Sequence, residues 1–433
     1  MEMICSNINV KNGELYFANI NVTDLAKKYG TPLYIMDENR IRENINSYKK
    51  VLKKYFDDNG VVLYASKACS FKYIYKIMND ENIGIDVVSS GEIYTAKMAG
   101  FDLSKAYFHS NNKTDADISF AMENGIGYFV ADNIEEINAI EKECEKRNVT
   151  QKILLRVTPG IDTHTYAEVN TGKVDSKFGT AIETGEALTL VGEILKLKHI
   201  KLCGFHCHVG SQVFEEDVYV KTAIIMIKFF NDVKIKYNFN TEIFDIGGGF
   251  GVRYIDSDPV LNLDKKVKEI SDTMKSECKK YNLDIPAFRM EPGRHIVADA
   301  GMTLYTVGTI KKIPGYKNYV SVDGGMTDNP RYALYKSKYT CYAANKMNET
   351  QDLMADLVGR CCESGDIIMP NVLFPSSIKR GDYIAVATTG AYNYSMASNY
   401  NRLPRPAVVM IKDGKDFVVV NRETLDNLVA NDI

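Results

Sequence analysis

Short apolar runs rich in β-branched and aromatic residues alternate along the chain with segments whose apolar positions return every three or four residues. The runs read as strands at Val61–Ala65, Ile85–Ser89, Ala106–His109, Gly127–Ala131, Ile153–Thr158, Leu202–Val209, Glu242–Ile246 and Ala287–Met290. Between them lie "FKYIYKIMNDE", "SGEIYTAKMAG", "NIEEINAIEKECEKR" and "DVYVKTAIIMIKFFNDVKIKY", each with one apolar helical face. Strand followed by helix, repeated around eight strands, predicts a closed parallel α/β barrel of the TIM type. Beyond about residue 296 the period changes. "MTLYTVGTIKKI", "KNYVSVDGG", "DYIAVATTG" and "AVVMIKDGKDFVVVNRE" are strand patterns without long helices between them, and Asp-Gly in "IKDGKDF" marks a hairpin. A second, all-β domain closed by a short helix at "TLDNLV" is expected. The strand patterns "ELYFAN" and "PLYIMDE" precede the barrel and could add to either domain. The boundaries drawn are 1–38 for N-terminal strands joining the β-domain, 39–295 for the barrel and 296–433 for the C-terminal β-domain.

Bulk properties narrow the class without choosing a function. At 433 residues two domains are the natural expectation, and 45% hydrophobic with 25% charged content is that of an ordinary globular protein. A net charge of −3 offers no electrostatic footprint for nucleic acid or an anionic membrane. "MEMICSNINV" lacks the basic start and apolar core of a secretory signal, and no apolar run approaches the ~20 residues that span a bilayer. Nine cysteines include no Cys-x-x-Cys pair, so free thiols in a reducing cytoplasm are expected, without a zinc knuckle or disulfide scaffold.

Barrel chemistry sits at the C-terminal strand ends, and the unusual residues fall there. Lys67 ends the apolar run in "VVLYASKACS"; a lone lysine there can also be a strand end reaching solvent. Asp86 and the run Ser89 to Glu92 close strand two, "HSNNK" (109–113) strand three and "RVTPGIDTHT" (156–165) strand five. "HCHVGSQ" closes strand six, "DIGGGFG" strand seven and "EPGR" strand eight. Gly247, Gly248 and Gly249 can expose successive N–H groups as a nest for a phosphate, with Arg294 and Ser211 as further donors. The spacing matches neither a dinucleotide fingerprint nor a Walker loop. A lysine, a phosphate cradle and a carboxylate on one rim suggest pyridoxal phosphate. Lys67 would form the imine, the glycines would hold the phosphate, Glu291 would keep the pyridine nitrogen protonated and His206 would stack on the ring. Glu291 could instead pair with Arg294. His206 and His208 invite a metal reading, but the further ligands of a metallohydrolase are hard to place, and no metal is expected.

The motifs "YASKA", "DVVSSGE", "HSNNK", "RVTPGIDTHT", "TGKVDSKFG", "GFHCHVGSQ", "DIGGGFG", "EPGR", "NPRYALY", "CESGD" and "GAYNYSMASNYN" occur in this order over nearly the whole chain. As a set they resemble the diaminopimelate decarboxylases, in the barrel-type (fold type III) pyridoxal-phosphate decarboxylase and alanine racemase superfamily. Departures are small: Ser110 stands where the family usually has glycine, and Thr158 where asparagine is common. The resemblance implies Lys67 as the imine lysine, with Gly249 and the segment Glu291, Pro292, Gly293 and Arg294 on the coenzyme. It puts Ser211 on the phosphate and His206 against the ring. It implies Cys362 as the general acid, contributed by the other subunit, and Glu363 facing the substrate's distant ammonium. Arg294, Arg331 and Tyr335 would hold the distant carboxylate, and Tyr392 would touch coenzyme and substrate. One of the adjacent Cys361 and Cys362 is expected to be core packing; only the family pattern selects Cys362.

The expectation that follows is a carboxy-lyase of lysine biosynthesis. It would remove carbon dioxide from the D-centre of meso-2,6-diaminopimelate to give L-lysine, as a homodimer with shared active sites. A carboxylate at the ring nitrogen favours the protonated, electron-withdrawing ring, which suits decarboxylation over racemisation. The rivals are a related decarboxylase acting on a carboxylated polyamine or a basic amino acid, a non-catalytic coenzyme carrier and a racemase. The large β-domain and "CESGD" count against the carrier, which needs no proton donor.

Overall fold

In the computed structural model, which describes residues 3–161, 176–215 and 217–433, the apolar runs become eight parallel strands. They are β1 (Gly60–Ala65), β2 (Gly84–Val87), β3 (Ala106–Phe108), β4 (Tyr128–Ala131), β5 (Gln151–Thr158), β6 (Ile200–His206), β7 (Ile243–Asp245) and β8 (Ala287–Met290). Each pairs with the next, and β8 returns to β1 with Phe288 opposite Gly60, closing the barrel. Strands β2, β3, β6 and β7 stop one to three residues short of the ends read from the sequence. The residues beyond those points leave the ladder and turn into the rim. Parts of the "RVTPGIDTHT" and "TGKVDSKFG" motifs, residues 162–175, lie outside the described residues.

Seven helices fill the seven connections: Lys72–Asp80, Ser90–Met98, Asp115–Glu123, Ile134–Arg147, Glu186–Ile194, Val218–Tyr237 and Leu263–Tyr281. Three of them end on an asparagine in the left-handed conformation, Asn148, Asn238 and Asn282, a stop that costs asparagine less than most side chains. Leu63, Tyr107, Val130, Leu154, Cys203 and Ile243, from six of the strands, form one buried cluster. This is the packed interior that makes such a barrel a scaffold rather than a pore.

The barrel belongs to a compact unit of Ile45–Gly251 and Leu261–Gly293; a second unit comprises Met1–Asn44, Val252–Val260 and Arg294–Ile433. The second unit is built on the long strand Gly301–Ile313. One half of that strand pairs antiparallel with Leu33–Asp37 and with Tyr383–Ala387, the other half with Lys317–Val322. Strand Ala407–Lys412 adds in parallel to Leu33–Asp37 and folds back onto Lys415–Val420. Both turn residues of that hairpin, Asp413 and Gly414, have positive φ (50° and 73°), as a tight Asp-Gly hairpin turn requires. Among the described residues no helix is long and apolar enough to cross a membrane.

Candidate active site

The barrel strands deliver their ionisable side chains to one rim. The chain leaves β1 in a single turn, Ser66–Ala68, that presents Lys67 with its side chain 44% exposed. Asp86, within β2, is fully buried with one oxygen 3.7 Å from the Lys67 amine. His109 follows β3, His206 ends β6 and Glu291 follows β8. His109 Nε2 lies 2.7 Å from Glu291 Oε1, and His206 Nε2 lies 3.1 Å from Oε2. His206 thus hydrogen-bonds to the buried carboxylate, while His109 makes the shorter contact to its other oxygen without hydrogen-bond alignment. Their rings meet edge to face, with centroids 4.8 Å apart. These three side chains present ligand-type atoms within 4.8 Å of one another.

Burial and neighbours divide the acids of this rim. Burial alone would raise the Glu291 carboxyl, but His109 and His206 outweigh it and hold it well below the usual range. Asp245, ending β7, goes the other way: full burial and the Glu291 charge push it well above that range. The pair thus holds one negative charge, on Glu291. Burial pushes His206 down to about 3 against the pull of Glu291, leaving a neutral imidazole near neutral pH. Burial also raises Asp86, opposed by His109 and Lys67.

Gly247, Gly248 and Gly249 follow β7, and two of the N–H groups expected to face an anion are engaged within the protein. Gly247 donates to Asp245 Oδ1 at 2.9 Å and Gly248 to His208 Nδ1 at 3.3 Å. What the run visibly allows is close packing. A Cβ on Gly248 would sit 2.2 Å from the Glu291 carbonyl oxygen, and one on Gly249 2.1 Å from that of Gly210. The β7 loop is thereby wedged between the loops after β6 and β8. The strap after β8 also lies on the end of β1: Ala65 N–H donates to the Pro292 carbonyl at 3.4 Å, and a Cβ on Gly293 would meet Ala65 at 2.9 Å. Ser211 is half-buried in the loop after β6.

The second unit holds its own constellation. The half-buried Tyr392 ring lies between two buried guanidinium groups, 4.7 Å from that of Arg294 and 5.0 Å from that of Arg331. Arg294 donates to the Tyr254 hydroxyl at 2.8 Å, and Arg331 lies 4.6 Å from the Tyr335 ring. The charge of Glu291 is thus met by imidazoles, and Arg294 is engaged by a phenol, in place of the alternative pairing of the two. Cys362 and Glu363 stand on an exposed turn, where the Cys362 N–H donates to Asn401 Oδ1 at 2.8 Å. All nine cysteines are free. Neither of the adjacent pair packs in the core: Cys361 is half-buried, pushed up to about 11 by burial and Asp366, and Cys362 is exposed. The turn carrying them protrudes from the sheet, which is why the core expectation fails.

From the sequence Asp86 stands out at a strand end but carries no assigned role, and His109 appears only within "HSNNK". The rule that barrel chemistry sits at strand ends marks Asp86 and extends to His109, the first residue after β3.

Fold and rim define the class: an α/β-barrel protein whose strand-end lysine shares a rim with a buried, ionised carboxylate. The family described as pyridoxal-dependent decarboxylase, pyridoxal binding domain, matches residues 38–298. The chain is 44% identical over 425 residues to diaminopimelate decarboxylase of Staphylococcus aureus (strain COL), covering 98% of each. It is 42% identical over 426 residues to that of Bacillus subtilis (strain 168), covering 98% of this chain and 96% of the relative. A crystal structure of diaminopimelate decarboxylase from M. jannaschii in complex with L-lysine superposes with a TM-score of 0.91 at 30% identity, covering 100% of this chain and 99% of that one. The chain belongs to the pyridoxal-dependent decarboxylases and, among them, to the diaminopimelate decarboxylase family.

Proposed function

We propose that this protein removes carbon dioxide from the D-centre of meso-2,6-diaminopimelate, releasing L-lysine, with pyridoxal phosphate at the barrel rim. The same reading makes it a cytoplasmic homodimer whose sites are shared between subunits. The observation that carries it is Glu291, a buried carboxylate held ionised by two imidazoles on the rim that presents the Lys67 amine.

The rim has unmet polar capacity that suits such a coenzyme. On this rim both Asp86 carboxylate oxygens, His206 Nδ1, His109 Nε2 and Glu291 Oε1 are buried without a hydrogen bond. Each unsatisfied buried group calls for an explanation, and a bound coenzyme would supply one for this cluster. Lys67 would hold the coenzyme through its aldehyde carbon, and His206 would lie against the ring. Gly249, Ser211 and the strap from Glu291 to Arg294 would secure its phosphate end. When bound, the coenzyme supplies an electron sink for the bond to the departing carboxylate.

The chain's own groups set direction and specificity. A negative Glu291 favours a positive ring nitrogen and so the strong sink that decarboxylation needs. A planar guanidinium recognises a carboxylate with two parallel hydrogen bonds, so Arg331 and Arg294 suit the substrate's second amino-acid head group. Tyr335 and Tyr392 would line that end, and Glu363 would receive the distant ammonium. Cys362 would return a proton to the carbon that loses carbon dioxide; its exposure in the single chain suits a residue that completes a partner's site. The L-lysine bound to the M. jannaschii relative supports the product assignment.

Borohydride reduction of the protein incubated with pyridoxal phosphate, followed by peptide mapping, should fix the coenzyme to Lys67. Lys67→Ala should lose the visible absorption band and carbon dioxide release together. Fixation at another lysine, or release from a carboxylated polyamine but not from meso-diaminopimelate, would refute the assignment.

A further inference from the structure

Lys113 is a lysine without a surface role: its side chain is fully buried. The amine donates to Glu136 Oε1 at 2.8 Å, to the Val130 carbonyl at 2.9 Å and to the Ser110 carbonyl at 3.1 Å. One buried cation thus ties the loop after β3 to the end of β4 and to helix Ile134–Arg147. Burial disfavours both charges of the Lys113–Glu136 pair, and each partner opposes that for the other. The loop it grips is strained. Ser110 has φ of +142°, a backbone angle open almost only to glycine. The residue immediately before it is His109.

We propose that His109 is a positioning residue that fixes the Glu291 carboxylate, and that the buried Lys113–Glu136 pair holds it in place through the strained Ser110 carbonyl. The inference rests on the reading in which Glu291 serves the coenzyme ring, and it adds residues that the resemblance does not assign.

Three observations carry it beyond packing. His109 Nε2 makes the shorter of the two imidazole contacts to Glu291, at 2.7 Å against 3.1 Å for His206. The His109 ring is buried edge-on against His206, and its Nε2 also lies 3.8 Å from Asp86 Oδ1. Its loop has a strained residue at one end and a three-point anchor at the other, a construction that trades stability for placement. The charged and titratable groups around Glu291 come from several strands and the loops after them: His109, His206, Cys207, His208, Asp86, Asp245 and Arg156. Two of them are acids. Without His109 the Glu291 carboxylate keeps a single neutral imidazole donor and takes up its proton at higher pH.

The test measures coenzyme binding, not turnover. Coenzyme-free wild type, His109→Leu, His109→Gln and Lys113→Met are titrated with pyridoxal phosphate by the visible band at about pH 8 and about pH 5.5, on either side of a shifted carboxyl. For His109→Leu, the dissociation constant relative to wild type should grow about tenfold between the two conditions, the equivalent of one pKa unit. His109→Gln keeps an N–H donor and should stay within about threefold of wild type at both. Lys113→Met should follow the leucine variant in direction. A leucine-to-wild-type ratio that does not change with pH overturns the proposal, and so does glutamine behaving as leucine. Should His109→Leu fail to fold, a Lys113→Met ratio that ignores pH is equally fatal. A wild type that forms no visible band at all overturns the coenzyme reading instead, so the two failures are distinguishable.

Discussion

Ser110 holds a backbone angle that side chains avoid, and it does so one residue from the Glu291 contact. The strain of such an angle is worth about 1–3 kcal/mol, and glycine relieves it at an entropic cost of about 0.5–1 kcal/mol. Ser110→Gly should therefore stabilise the protein by about 1 kcal/mol, read from the urea unfolding midpoint at constant slope. A lower midpoint would mean that the angle is not strained. The residues with the strongest chemical identity were legible in the sequence. Lys67, His206 and Glu291 stood out because a barrel puts its chemistry at strand ends and because amines, imidazoles and carboxylates are conspicuous beside apolar runs. Partnership was not legible. Nothing in "HSNNK" says that His109 turns toward a carboxylate on β8, because that depends on the φ of Ser110 and on a lysine folded inward three residues later. The triple glycine was legible as a turn but misread in emphasis, since two of its N–H groups are engaged internally and its missing side chains admit neighbouring backbones.

Among the elements, helix Ser90–Met98 shows how a polar start is written. Ser89 accepts from the Glu92 N–H at 3.2 Å, and the Glu92 carboxylate accepts from the Val88 N–H at 2.8 Å, two ends of one capping arrangement. Burial pushes Glu92 up to about 7, opposed by the Val88 N–H. An acid raised on folding from its ordinary 4.5 binds a proton more tightly in the folded than in the unfolded chain, so its contribution to stability falls as pH rises from 4.5 to about 7. Glutamine keeps the acceptor and has no proton to lose. The stability of Glu92→Gln relative to wild type should therefore improve between about pH 5 and about pH 8, measured as the difference in urea midpoints. A difference that stays constant would show that Glu92 is not perturbed. The elements themselves were the most legible level. Eight strands and their helices follow from periodicity, and the Asp-Gly hairpin from turn chemistry. Strand ends in β2, β3, β6 and β7 were read too long, because the residues past the last ladder bond turn into the rim.

At the scale of the whole molecule, the two constellations sit in different compact units: Lys67, Asp86, His109, His206 and Glu291 in one, and Arg294, Arg331, Tyr335, Tyr392 and Cys362 in the other. No periodicity in a single chain says whether a residue serves its own barrel or a partner's, so this level was reached only through the family resemblance. The proposed sharing is nevertheless open to a clean test, because a two-fold interface repeats each contact in both directions. Lys67→Ala chains lack the amine, Cys362→Ala chains lack the acid, and each alone should be nearly inactive. Random reassembly of equal amounts makes about half of the dimers mixed, and in each mixed dimer one site recovers an intact lysine and an intact cysteine. About a quarter of the wild-type carbon dioxide release should therefore return on mixing, with the other site of each mixed dimer doubly defective. If lysine and cysteine of the same chain served one site, every site in the mixture would carry one defect and nothing would return. Cys361→Ala in place of Cys362→Ala separates the neighbouring thiols, because that chain should be active before any mixing. No recovery from the Lys67 and Cys362 variants, with mixed dimers present by mass, would overturn the shared site.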